Sequence, residues 1–369
     1  MEAEYGGFDA YYQKLVTQLA GGTAADIIQI DYKWVSDLAA QGELFVNMND
    51  LKDRIDMSGF DLNFAHSYGA VGNYLLGLPT GLNALTLAAN MDFLKEMGIK
   101  LDNDWDWDKI LEAGVKVQQK DKNKHLLYLT TNHFNYLLKT YMKQKTGNNF
   151  IKDDFTFGFK KEELVDAFAY IRKMVDLGVV SPFEESVLFD HVGSEQNNNW
   201  LAGKYGFLTQ WASAVPPVMA YSSFPMDVTR YPVPKDAVDP GILTTPSQFL
   251  SINKRSKNID EAIKFVDWFF NDEEAILILK DCRGVPPTVK ARELLAEKQL
   301  INPVVAKGVD VSLPFSGGPE NALSLNKEVE TIMHDYIQQV GFRRMSPEQA
   351  ADNLMRDLQQ KLDELKAWR

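Results

Sequence analysis

The stretch from Gly77 to Ile99, GLPTGLNALTLAANMDFLKEMGI, decides how the rest of the chain is read. Pro79 fixes its own φ and biases Leu78 away from helical geometry, so Leu78-Pro79-Thr80-Gly81 is an extended, turn-prone lead-in. Leu82, Leu85, Leu87, Ala88 and Ala89 then form a largely apolar run suited to a strand buried on both faces. Asn90-Met91-Asp92 offers a cap for a short helix carrying Phe93, Leu94 and Met97, and Gly98 stops it. An extended segment that leaves one compact region through a Gly/Pro/Asn turn and at once builds another reads as a hinge between two lobes.

Outward from this segment, helices alternate with short apolar strands, the α/β pattern. Tyr12, Leu15, Val16 and Leu19 fall at helical spacing before Gly21-Gly22, and Asp26–Ile30 reads as a buried strand. Leu164, Phe168, Ile171 and Val175 mark one helix face closed by Gly178, and Ile259, Ala262, Ile263, Val266, Phe269 and Phe270 mark a second. Both read as core faces. Ser346-Pro347-Glu348-Gln349 is a capping box that starts a last helix with Leu354, Leu358, Leu362 and Leu365. The composition agrees: 369 residues with 45% hydrophobic content suffice for two cores. A net charge of −12 repels phosphate backbones and anionic membrane surfaces, which argues against nucleic acid. A single cysteine, Cys282, allows no internal disulfide and no thiolate cluster for zinc.

Several stretches carry a family resemblance in the right order. They are the hinge segment, Asp26-Ile27-Ile28 leading to Gln41-Gly42-Glu43-Leu44, Gly203-Lys204-Tyr205-Gly206-Phe207, Ser256-Lys257-Asn258 before an amphipathic helix, and Arg283-Gly284-Val285-Pro286-Pro287. In this order the chain resembles the family 1 extracellular solute-binding proteins of ABC sugar importers, the maltose-binding-protein-like group. The resemblance implies a two-lobed periplasmic-binding-protein-like α/β fold of the class II type, with discontinuous lobes and three hinge crossings. The second and third crossings are expected at Leu243–Gln248 and Pro314–Pro319, both of linker composition. One lobe is then 1–82 plus 246–313, the other 83–245 plus 314–369. The start departs from the family: Met1–Tyr5 has no basic, apolar or cleavage region of an export signal. The expectation is an internal start at the family's second strand, lacking the first strand and first helix. By resemblance the protein is extracytoplasmic, periplasmic or a cell-surface lipoprotein, monomeric, without a cofactor, and partnered with the transmembrane permease subunits.

A pyranose offers C–H faces that stack on aromatic rings and hydroxyls that need planar polar partners, so its site pairs Trp, Tyr or Phe with Asp, Asn, Gln or Arg. Asp31-Tyr32-Lys33-Trp34 follows the strand ending at Ile30, and α/β sheets bind ligands at the carboxyl ends of their strands. Asp31, Tyr32 and Trp34 are therefore candidates; the alternative is a helix-capping Asp31 and a Trp34 packed on its own helix. Gln210-Trp211 follows the strand Tyr205–Leu208 and, by resemblance, stands where the family often places a stacking tryptophan; Trp211 under the Pro216-Pro217 turn is the alternative. Asn132, His133, Phe134 and Asn135 follow the strand Leu126–Leu129, where amides would reach hydroxyls unless Asn132 simply caps a helix. Asn83 at the crossover is either a ligand contact or a turn residue, and Arg283 either a donor to a sugar oxygen or a surface ion-pair partner.

Enzyme signatures are missing from the sequence. Five histidines show no HExxH spacing, and GxSxG, GxxxxGK[ST] and post-strand GxGxxG do not occur. Asp102–Asp108 imitates the start of a calcium loop but has Trp107 at the glycine position and Ala113 at the twelfth, so it reads as the capped start of a helix through Ile110, Leu111 and Val115. The expectation is a non-enzymatic subunit without a metal that delivers a sugar or oligosaccharide to the permease. Alternatives are a glycoside hydrolase, which needs two carboxyls flanking one bond, a binder of a non-sugar solute, and an interaction protein without a ligand.

Overall fold

The computed structural model describes residues 8–189, 193–281, 284–321 and 323–367. The strand expected over Met1–Tyr5 lies outside them. In chain order the elements that matter below are α1 (Phe8–Gly21), β1 (Ile27–Ile30), β2 (Leu78–Pro79), β3 (Leu82–Asn90), α2 (Met91–Met97), α3 (Trp107–Lys120), β4 (His125–Tyr128) and α4 (Thr131–Thr146). They continue with α5 (Lys161–Asp176), β5 (Tyr205–Trp211), β6 (Met226–Arg230), β7 (Phe249–Ile252), α6 (Ile259–Asn271), α7 (Pro303–Ser312), α8 (Lys327–Gly341) and α9 (Pro347–Ala367). The chain forms two compact units, Met1–Leu82 with Thr245–Ile301 and Asn83–Thr244 with Asn302–Arg369, and passes between them three times.

The first unit is built on the antiparallel order β1–β7–β2, with Ile27 opposite Ile252 and Ile30 opposite Phe249. Its core gathers Met48, Leu51, Ile55, Leu78 and Ile252 under α6. Helical spacing turns Ala262, Ile263, Val266 and Phe270 inward and leaves Phe269 partly exposed.

In the second unit the strands run β4–β5–β3–β6. β3 is antiparallel to both β5 and β6, while β4 is parallel to β5, so the carboxyl ends of β4, β5 and β6 lie at one end of the sheet. All but one residue of β3 is buried, as its unbroken apolar run requires. Asn90 then caps α2 by accepting from Phe93 N at 2.9 Å, and Gly98 closes it at φ 70°, a left-handed conformation that disfavours residues with a Cβ. The capping box of α9 is present in full: Gln349 N donates to Ser346 Oγ and Ser346 N to Gln349 Oε1, both at 3.2 Å. Leu354, Leu358 and Leu362 are fully buried beneath it, each contributing about 1.5–3 kcal/mol relative to exposure.

Residues 302–313 differ from the sequence expectation, which put them in the first unit. α7 packs against β6 of the second unit, with Gly308 so close to Thr86, Ala212 and Val228 that an added Cβ would sit 3.2–3.5 Å from their side chains. The third passage therefore falls at Ile301/Asn302 and not at the Pro314–Pro319 linker. Pro/Gly composition marks a turn there without marking a boundary: Pro314 lies in the short turn Leu313–Phe315 that follows α7 directly.

At the end of α5, Asp176 accepts from Arg172 Nε at 2.9 Å and from Arg343 Nε at 2.7 Å. Partial burial pushes its carboxyl up, but the hydrogen bonds from Arg343 and Arg172 outweigh this and hold it below the usual 3.8. A lowered folded value stabilises above the unfolded value and loses that contribution as pH falls through the folded one. The stability gap between wild type and Asp176→Asn is therefore expected at neutral pH, to close below about pH 3.8 and to shrink with salt. Urea unfolding of both proteins at pH 7 and pH 3 checks this; a gap independent of pH would mean the aspartate acts through shape alone.

Candidate functional site

At the carboxyl end of the second unit's sheet, β5 delivers Trp211, which is half-buried at the strand's last position. Its ring meets Tyr136 of α4 at 5.9 Å between centroids and 77° between planes. The tyrosine hydroxyl accepts from Nδ2 of Asn132, which is exposed, at 3.2 Å. Gln210 is used locally: its Nε2 donates to Ser194 Oγ at 3.0 Å and its Oε1 accepts from Trp211 N at 3.2 Å. Asn83 donates to Ser213 Oγ at 2.8 Å. The result is two rings at right angles beside an amide and hydroxyls, the donor set that a polyhydroxylated ring needs.

Arg230 ends β6 at the same end of the sheet. Its Nη1 donates to the carbonyls of Trp105 and Tyr231 at 3.1 and 3.0 Å, and its guanidinium lies 4.5 Å from the ring centre of Phe315. Burial lowers its pKa below the usual guanidinium value, opposed by the charges of Asp104, Asp106 and Asp102.

Three residues expected at the ligand turn inward instead. Thr130, not Asn132, caps α4: His133 N donates to Thr130 Oγ1 at 3.2 Å and Thr130 N to His133 Nδ1 at 3.3 Å. Four successive helical residues point around almost the whole axis, so Asn132, His133, Phe134 and Asn135 cannot share a face. Phe134 is fully buried against Phe183 at 5.1 Å, and Asn135 is fully buried with neither amide atom partnered. His133 is buried too, with a ring nitrogen engaged in the cap. Tyr136, one turn after Asn132, is the residue the sequence reading missed; i to i+4 spacing from Asn132 would have found it once the cap was assigned.

In the first unit Asp31 is buried and accepts from Lys33 N at 2.9 Å, capping the short turn Tyr32–Trp34. Trp34 lies 6.0 Å from Tyr11 and 5.0 Å from Tyr12, both on α1. Tyr32 meets Tyr68 edge-on at 5.8 Å. The carboxyl end of β1 thus carries a second, mostly aromatic surface. Arg283 lies outside the described residues.

The Asp102–Asp108 run is consumed locally. Asp106 caps α3 through Lys109 N at 2.8 Å, and Asp104 pairs with Lys109. Hydrogen bonds from Asp102 and Lys109 push Asp104 down to about 2, while the same bond to Asp104 pushes Asp102 up. Among the described residues no three His, Cys, Asp or Glu side chains are grouped as metal ligands. Among them, too, no helix is long and apolar enough to cross a membrane.

Comparison with known proteins agrees with this architecture. The family described as bacterial extracellular solute-binding protein matches residues 2–276, and the chain belongs to it. Among solved structures, an extracellular solute-binding protein of family 1 from Alicyclobacillus acidocaldarius is 22% identical, with a TM-score of 0.85 over 96% of this chain and 88% of that one. A periplasmic oligogalacturonide-binding protein from Yersinia enterocolitica is 23% identical, with a TM-score of 0.80 over 98% and 91%. The fold is therefore the α/β fold of periplasmic solute-binding proteins. A putative binding protein of Brucella abortus is 24% identical over 281 residues, 72% of this chain; the match spans 63% of the length of that relative.

Proposed function

We propose that this chain is the extracytoplasmic solute-capturing subunit of an ABC importer, that its solute is a sugar or oligosaccharide, and that it delivers the bound solute to the transmembrane permease. The perpendicular Trp211–Tyr136 pair with the Asn132 amide beside it carries the reading, because aromatic faces select the apolar side of a pyranose and planar amides its hydroxyls. Family membership supports the importer role, and the oligogalacturonide named for the Yersinia protein is consistent with the solute class. Binding makes and breaks no covalent bond, and differential affinity for one conformation is what would signal the loaded state to the permease.

A thermal-shift series against glucose, maltose, maltotriose and digalacturonic acid tests the reading. A sugar that binds only the folded protein stabilises it by about 2.7 kcal/mol at a hundredfold excess over Kd, so one member of the series is expected to raise the melting temperature by several degrees. No shift with any of them, or cleavage of a labelled oligosaccharide into products, would reject a sugar-binding subunit in favour of another solute or of a glycoside hydrolase.

A further inference from the structure

The turn that follows Trp211 is held by a residue of β3. Leu85 stands opposite Trp211 in the antiparallel register, so two residues further toward the start of β3, Asn83 faces Ser213. Backbone pairing cannot continue there because the chain bends into the short turn Ala212–Ala214. The Asn83 side chain takes the place of the missing ladder. Its Nδ2 donates to Ser213 Oγ at 2.8 Å, and its Oδ1 accepts from Ser213 N at 3.2 Å and from Ala84 N at 3.1 Å. Asn83 is also the first residue of the second unit, next to the first passage of the chain between units.

We propose that Asn83 is a positioning residue, which holds the Ala212–Ser213 turn and thereby sets the Trp211 ring against Tyr136 instead of touching the sugar itself. The inference rests on Trp211 being the stacking surface of the proposed site. The chemistry is specific to a carboxamide or its closest substitute. Alanine removes all three hydrogen bonds. Aspartate keeps an acceptor for both backbone N–H groups and also accepts from the Ser213 hydroxyl.

The test is fluorine NMR of the free protein labelled with 5-fluorotryptophan at its seven tryptophans, with the Trp211 signal assigned by its loss in Trp211→Phe. Asn83→Ala is expected to shift and broaden the Trp211 signal alone, and Asn83→Asp to restore it. An unmoved Trp211 signal in Asn83→Ala overturns the proposal, whatever the protein binds. With maltotriose and digalacturonic acid as probes, Asn83→Ala is further expected to weaken binding roughly 2- to 10-fold, and to add nothing in a Trp211→Ala background. An equal loss in both backgrounds would mean that Asn83 acts independently of Trp211, which also overturns it. If none of the four sugars of the thermal-shift series binds the wild type, the sugar reading fails while the NMR result still decides the role of Asn83.

Discussion

Replacing Trp211 by alanine is expected to weaken sugar binding by about 1–3 kcal/mol, roughly 5- to 150-fold, while the second unit stays folded. The two effects separate because of where the residue sits. Trp211 is the last residue of β5 and half-buried, while the preceding Tyr205–Leu208 lie wholly in the interior and keep the sheet together. Removing the indole takes away one wall of the right-angled pair and leaves Tyr136 exposed on that side, so a stacked ring loses contact area and the exclusion of water around its hydroxyl partners. Calorimetric titration with the sugar that shifts the melting temperature most measures the loss, and a melting curve of the free mutant measures the cost to the fold. Unchanged affinity would remove Trp211 from the site. A collapsed melting transition would assign it to the core.

Replacing Lys139 by methionine is expected to destabilise the second unit by about 3–5 kcal/mol, the penalty for leaving buried charge without its counter-ion. Lys139 is 3% exposed on α4. Its Nζ donates to Ser324 O at 2.7 Å and Glu330 Oε1 at 2.9 Å, and lies 3.6 Å from Glu320 Oε2. The ammonium thereby ties α4 to α8 and to the segment that leads into it. Lys143, one turn on, lies 3.8 Å from Glu320 Oε1 and keeps a cation near that carboxylate, but it is committed to Asn149 Oδ1 at 2.8 Å and to the Gly318 carbonyl, and burial already lowers its pKa. Methionine fills nearly the same space, so the loss reports charge and not a cavity. Urea unfolding followed by far-UV dichroism gives the magnitude. Adding Glu320→Gln and Glu330→Gln to the methionine variant should recover much of it; failure to recover would show that the hydrogen bond to Ser324 matters more than the charges.

The legible parts of this protein were those governed by neighbours in sequence. The apolar run Leu82–Ala89, the Asn90 cap, the Gly98 stop, the Ser346–Gln349 box and the inward stripe of α6 each follow from spacing within about one turn or a few strand residues. The cap of α4 escaped because histidine replaces the usual Glu or Gln at its third position, and with the cap unassigned the helix could not be oriented. That one gap explains why Phe134 and Asn135 were expected outside and why Tyr136 was passed over.

By itself the sequence determined an α/β chain, the buried strand and capped helix of the Gly77–Ile99 segment, and a strand leading toward Trp211, because hydrophobic period and turn chemistry are local. Tertiary structure alone decided that α7 belongs to the second unit, that Lys139 and Lys143 are interior cations, and that Tyr136 and Asn83 attend Trp211. These are outcomes of register and helix rotation between segments far apart in the chain, 130 residues for Asn83 with Ser213 and 191 for Lys139 with Glu330. A lysine looks the same in sequence whether solvent or a buried glutamate awaits it.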